Sequence, residues 1–218
     1  MVGIAAGKTW SRIGPEVAPT SAAASGVWTL QEAAENEGAG TWPSPPVHME
    51  FISKIVMDGT SNTVSFTSIP QQYRHLRIIG ANLQRVSSSN SWIGLQFNND
   101  STTGNYGYLR LYNFGPTGGS QGQAGTGPQS VDDFPASSND SAIIWDIGNY
   151  ADSSVGTNCL VQWARDGFGG NDQKGVGGSN YQVASAVTRL DIRSNNTTSG
   201  YYLEAPGTFA LFGIGKAA

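Results

Sequence analysis

From His48 onward apolar and polar residues alternate with period two, in short runs broken by Gly, Asn and Pro clusters, and this constrains the fold more than any motif does. Alternation sends successive side chains to opposite faces, so each run reads as a strand with one face buried. In Ile93-Gly94-Leu95-Gln96-Phe97 the apolar Ile93, Leu95 and Phe97 share a face. Leu109 with Leu111, Leu190 with Ile192, and Phe209 with Leu211 repeat the pattern, and each pair is expected to point inward. Strands are predicted at Met49–Met57, Asn62–Thr67, Leu76–Val86, Ser91–Phe97, Tyr106–Phe114, Ala142–Ile147, Asn158–Ala164, Gln182–Ser185, Val187–Arg193 and Thr208–Ile214. Many short strands separated by turn residues predict an all-β fold, an antiparallel β-sandwich of jelly-roll type over residues 48–218.

Two stretches interrupt the regularity. Gly115–Ser141 holds six glycines and three prolines, and Gly167–Asn180 holds six glycines around Lys174. Both are expected to be long loops at the ends of the sandwich, where such loops commonly meet partners.

Residues 1–47 read differently, as an extended N-terminal arm. They carry five of the ten prolines and an Ala/Ser/Gly-rich run at Ser21–Gly26, a composition that cannot form a packed core. They also carry Trp10, Trp28 and Trp42, three of the six tryptophans. Disordered linkers are poor in aromatics, and Trp is favoured where a partner surface buries it. Thr29-Leu30-Gln31-Glu32 has capping-box spacing and predicts one short helix over Leu30–Asn36, stopped by Gly38. At two turns such a helix needs packing from its flanks. Trp10, Val27, Trp28, Leu30 and Trp42 are the expected anchor of the arm on a partner. Fully extended, the arm could reach about 150 Å, enough to cross to a neighbouring subunit.

Composition narrows the function classes. Charged residues make up 13% of the chain and the net charge is −4, which gives no electrostatic footprint for nucleic acid or anionic lipid. The single Cys159 excludes an intramolecular disulfide framework and is expected to be a small buried strand residue. No run approaches the ~18 apolar residues of a membrane span, and the first residues lack the pattern of a signal peptide, so synthesis in the cytoplasm without membrane insertion is expected.

Sites of chemistry are sparse. Gly3-Ile4-Ala5-Ala6-Gly7-Lys8-Thr9 approaches a phosphate loop, but Val2 stands where the pattern needs Gly and no strand precedes it. His48 and His75 have no second ligand at metal spacing and read as structural or surface residues. Asp132-Asp133 and Asp146 are the acids in suggestive settings, yet glycoside hydrolysis needs two carboxylates ~5–10 Å apart, which spacing alone does not supply. Asn98–Asn105 offers oxygen ligands but lacks an EF-hand's alternation and reads as a hairpin turn. Trp145, Tyr150, Trp163, Tyr201 and Tyr202 could form a sugar-stacking face, or equally a packed core. The sequons at Asn99, Asn139, Asn195 and Asn196 have no secretory context. No cofactor or metal is expected.

Four segments together resemble small virion structural proteins of tailed marine phages and cyanophages. They are Ser25-Gly26-Val27-Trp28-Thr29-Leu30 followed by Trp42-Pro43; Val64-Ser65-Phe66 through Ile69-Pro70-Gln71-Gln72-Tyr73-Arg74-His75-Leu76; Gln96-Phe97-Asn98-Asn99-Asp100 leading to Asn105-Tyr106; and Phe209-Ala210-Leu211-Phe212-Gly213-Ile214. The family's ending more often reads Leu-Tyr-Gly-Ile, with Phe212 replacing Tyr here. The resemblance implies a place in a virion and no enzyme activity. The leading expectation is a capsid decoration or cement protein, a trimer whose arm packs on the major capsid protein or other virion subunits. The alternatives are a tail-fibre or receptor-binding subunit that meets a host-surface glycan, and a free carbohydrate-binding module or glycan hydrolase.

Overall fold

A computed structural model describes residues 31, 35, 49–83, 93–114, 117–124, 129–131, 141–165, 173–194 and 207–216. The chain divides into two units, Met1–Val47 and His48–Ala218. In the first, Gln31 and Glu35 are helical and exposed, and Gln31 Nε2 donates to Glu35 Oε1 at 2.9 Å. The remainder of the predicted Leu30–Asn36 helix lies outside the described residues, as do Trp10, Val27, Trp28, Leu30 and Trp42.

The second unit is all-β. Its strands are β1 (Glu50–Val56), β2 (Thr63–Phe66), β3 (Tyr73–Ala81), β4 (Ile93–Phe97), β5 (Tyr106–Phe114), β6 (Thr117–Ala124), β7 (Gln129–Val131), β8 (Ser141–Gly148), β9 (Thr157–Arg165), β10 (Gln173–Tyr181), β11 (Leu190–Ser194) and β12 (Thr208–Lys216). Eight form a large sheet in the order β1-β12-β3-β8-β9-β10-β5-β6, and four form a small sheet in the order β2-β11-β4-β7. All pairings are antiparallel. They are nested along the chain: Glu50 pairs with Gly213 across β1 and β12, and Phe66 with Leu190 across β2 and β11.

One apolar core joins the sheets. Leu76, Ile78, Trp145, Ile147, Phe209 and Leu211 of the large sheet and Leu95, Phe97, Leu190 and Ile192 of the small one are at most 1% exposed. Ring stacking extends it, with Phe97 5.3 Å from Tyr181 and Tyr181 5.1 Å from Tyr106. Two buried polar groups at its edges are tied off. The Tyr150 hydroxyl donates to the Pro70 carbonyl and accepts from the Tyr73 N–H, and Asp191 is held by Arg189 and Ser65.

The predicted strands overlap observed ones except for Gln182–Ser185, which is irregular. There the backbone donors turn to local loops: Gln182 N–H to the Asn105 carbonyl at 2.8 Å and Ser185 N–H to that of Val183 at 3.0 Å. The glycine-rich stretches, expected as loops, contain β6 and β7 in one case and β10 in the other. Trp163 shows why glycine suits β10: a Cβ on Gly175 would lie 2.0 Å from its ring, so the missing side chain leaves the room the indole fills.

Another correction concerns Leu109 and Leu111, which face outward and are 60% and 56% exposed. The opposite face of β5 carries the buried Tyr106 and Arg110, with Arg110 between the rings of Tyr108 and Tyr112 at 5.6 Å from each. The Asn98–Asn105 segment is likewise not a hairpin, because it crosses from the small sheet to the large one. Asn98 and Asn99 take φ of 51° and 56°, and the Asp100 N–H donates to the Phe97 carbonyl at 2.9 Å. Short Asx side chains tolerate that left-handed pair. The Asp100 carboxylate accepts from Thr102 N–H, Asn105 Nδ2 and the Tyr181 hydroxyl, so its oxygens are occupied as struts of the turn. The Thr102 N–H, followed by the Asn105 amide, holds its pKa at about 2.

Candidate functional site: the outer face of the large sheet

Antiparallel register places paired residues on the same face, so the outer face of the large sheet can be read as rows crossing the strands. The first row runs Ile214, His75, Gly148, Asn158, Asn180, Gly107. The second runs Phe51, Phe212, Arg77, Asp146, Leu160, Gly178, Leu109. The third runs Lys54, Ala210, Ile79, Ile144, Gln162, Val176, Leu111. Polarity therefore falls from the first row to the third.

Two features result. One is an uncovered apolar band: Phe51, Val56, Leu109, Leu111, Leu160 and Val176 are each between 55% and 65% exposed, and all lie on this face. The other is a groove of about 1140 Å³ along the first two rows, lined by His75, Arg77, Asp146, Asn158, Leu160 and Asn180 among others. Glycine shapes it, since Gly148 and Gly178 put bare backbone where other strands carry side chains, while the Asn180 side chain lies over Gly107.

Arg77 and Asp146 face each other across β3 and β8 and form a two-pronged pair, Nε to Oδ1 at 2.6 Å and Nη2 to Oδ2 at 2.9 Å. The Asp146 carboxylate raises the guanidinium's pKa above its ordinary value. Both side chains are about a third exposed (37% and 36%), so the pair adds little stability and chiefly fixes two planar polar groups in the groove. Beneath it, on the inner face, Cys159 is buried, and burial pushes its thiol pKa up.

Of the residues singled out from sequence, the structure brings His75 and Asp146 together in this groove. Asp146 has both oxygens engaged by Arg77 and no second carboxylate among the groove's described lining residues, so a hydrolytic carboxylate pair is not assembled there. Trp145, Tyr150 and Trp163 are core residues at 0%, 0% and 7% exposure, which overturns a sugar-stacking role for those three. His48, Asp132, Asp133, Tyr201, Tyr202 and the Gly3–Thr9 motif lie outside the described residues. No group of three or more His, Cys, Asp or Glu suited to a metal occurs among the described residues.

Sequence reasoning missed Arg77, Asn158, Leu160, Gly178 and Asn180. A signal for them exists in Asn158-Cys159-Leu160-Val161-Gln162-Trp163, where Leu160 and Val161 are apolar on opposite faces. A strand apolar on both sides needs a second partner for its outer face.

The fold and site thus define an all-β, two-sheet protein with exposed apolar side chains on one sheet face and an adjoining groove that mixes apolar and polar side chains. Compared with protein-family models, curated proteins and solved structures, the chain matches none.

Proposed function

We propose that the chain is a phage virion structural protein that decorates the outer surface of the head and cements it by packing against neighbouring subunits. The observation that carries this reading is the band of six large apolar side chains exposed on one sheet face. Four of the six cluster on β9, β10 and β5 and two stand on β1; exposed apolar clusters of this kind suit an interaction site, and burying them at ~25 cal/mol per Å², repeated over symmetric copies, would stiffen a shell. A chain with 13% charged residues is suited to such contacts.

The strand order supports a jelly-roll reading. Setting aside β5, β6, β9 and β10, eight strands remain in two sheets, β1-β12-β3-β8 and β2-β11-β4-β7. First beside last and second beside next-to-last is the order of a double Greek key, an architecture that viral capsid proteins use. In this reading the arm, with its short helix and Trp10, Val27, Trp28, Leu30 and Trp42, reaches the major capsid protein or an adjacent copy in a trimer. The protein is made in the host cytoplasm, acts in the virion, and has no enzymatic step.

The decisive measurement compares particles with and without the protein. Particles lacking it should disrupt at lower temperature, and identical disruption temperatures would end the cement role. The groove favours a second reading, a tail-fibre or receptor-binding subunit. Labelling in intact particles separates them, since many copies over the head and a few at the tail are incompatible outcomes.

A further inference from the structure

We propose that the groove between β12-β3-β8 and β9-β10-β5 binds a neutral oligosaccharide. Arg77 and Asp146 compensate each other through two short hydrogen bonds, leaving little net charge to select an ionic ligand. Around them Asn158, Asn180, Gln182 and His75 each set a donor beside an acceptor. Sugar hydroxyls are donors and acceptors at once, so they suit these four side chains. An apolar peptide or lipid would strip water from the same side chains without replacing its hydrogen bonds, at a cost of about 1–3 kcal/mol for each group left unpaired. A polyanion would find its only guanidinium partner already committed to Asp146.

The apolar counterpart is also in place. Leu160 and Leu109, 65% and 60% exposed, lie on the Asp146 side of the Arg77–Asp146 pair along the second row and suit the C–H face of a pyranose ring. Gly148 and Gly178 provide backbone floor on which rings can lie flat. A volume of about 1140 Å³ exceeds the ~300–1,000 Å³ of ordinary small-ligand pockets, which points to more than one ring. This assignment stands on the groove's own chemistry and is independent of a head or tail position.

Gly178 offers a clean block. A Cβ there would meet Leu160 Cδ2 at 3.7 Å and the Cys159 carbonyl oxygen at 3.9 Å, ordinary contacts, so Gly178→Leu fills the groove without forcing the backbone. The full chain should be titrated with maltotetraose, cellotetraose, chitotriose, mannotriose and lactose by calorimetry or NMR, with sialyllactose and a heparin tetrasaccharide as charged probes. At least one neutral sugar should bind. Gly178→Leu and Asn158→Ala should each weaken that binding at least about tenfold, equivalent to the ~1.4 kcal/mol of a tenfold change, while the melting temperature stays put. Silence from all the neutral sugars, tighter binding of a charged probe, or unchanged affinity in Asn158→Ala would overturn the proposal. Asn158 is exposed, so that variant decides the matter even where Gly178→Leu proves unstable. A protein found on the head that binds sugar would retain this site and its cement role. One that binds none would lose the site alone.

Discussion

The two halves of the large sheet obey the same alternation but fill their inner faces differently. In β1, β12, β3 and β8 the aliphatic and aromatic residues Phe209, Leu211, Leu76, Ile78, Ile143 and Trp145 are buried, and the outer face of β3 and β8 is crossed by the Arg77–Asp146 pair. In β9, β10 and β5 the large aliphatic residues Leu160, Val176, Leu109 and Leu111 point outward. Their inner face instead matches bulky rings to glycines, Trp163 over Gly175 being the tightest fit. Alternation therefore reports that two faces differ, while complementarity of volume decides which is inside.

The largest test of that contrast is a pair of truncations. Trp145→Ala should cost roughly 3–5 kcal/mol in denaturant unfolding, because it empties a fully buried site, whereas Leu160→Ala should change stability by less than about 0.5 kcal/mol. Comparable losses would mean that the second half also hides its leucines. A subtler pair lies within β10. Gly175→Ala should destabilise by about 1–3 kcal/mol as Trp163 is displaced, and Gly178→Ala should be neutral or stabilising by up to about 1 kcal/mol. Thermal melts of the two variants, which differ only in face, would sharpen the assignment of inside and outside.

Acid provides a third test, at the turn that joins β4 to β5. The Asp100 carboxylate titrates at about 2 in the fold against 3.8 ordinarily, chiefly because it accepts from the Thr102 N–H. Its folded pKa lies below the unfolded one, so its contribution is complete above the ordinary value and disappears as pH falls through about 2. Unfolding curves at pH 5, 3 and 2 should therefore show the gap between the parent and Asp100→Asn closing in acid. A gap that stays constant would show that the carboxylate charge is irrelevant to the turn. The smallest expected effect is on the outer band: Leu109→Ser with Val176→Ser should leave stability within about 0.5 kcal/mol while reducing self-association in sedimentation. A large loss of stability there would erase the difference between the halves.

Much of the small sheet, and β12 of the first half, was legible from sequence. Ile93, Leu95 and Phe97, Leu190 with Ile192, and Phe209 with Leu211 read as inward-facing from their alternation with polar or small residues and are buried, although Gln96 and Asp191 between them are buried as well. The second half was not. In Tyr106-Gly107-Tyr108-Leu109-Arg110-Leu111-Tyr112 both faces are substantial, and nothing local ranks a Leu against a Tyr or a buried Arg. β10 was hidden for a related reason: Gly175, Gly177 and Gly178 remove the β-propensity signal, and the ring that compensates for Gly175 comes from β9. The groove was legible only as the isolated residues His75 and Asp146, since register across four strands, not spacing along one, brings Arg77, Asn158 and Asn180 beside them.

The nested pairing also dictates when this protein can fold. Among the described strands, β1 touches the large sheet only through β12, and β12 alone joins it to β3. Until β12 has left the ribosome, β1 waits without a partner and β3 shows one bare edge, whatever has already formed between β8 and β5. Closing so long a loop is entropically costly, and folds dominated by such pairings mature in roughly milliseconds to seconds. A nascent chain in that interval presents open apolar strands to its neighbours on the same message, so rapid, crowded synthesis would place this protein among the clients of ribosome-associated chaperones.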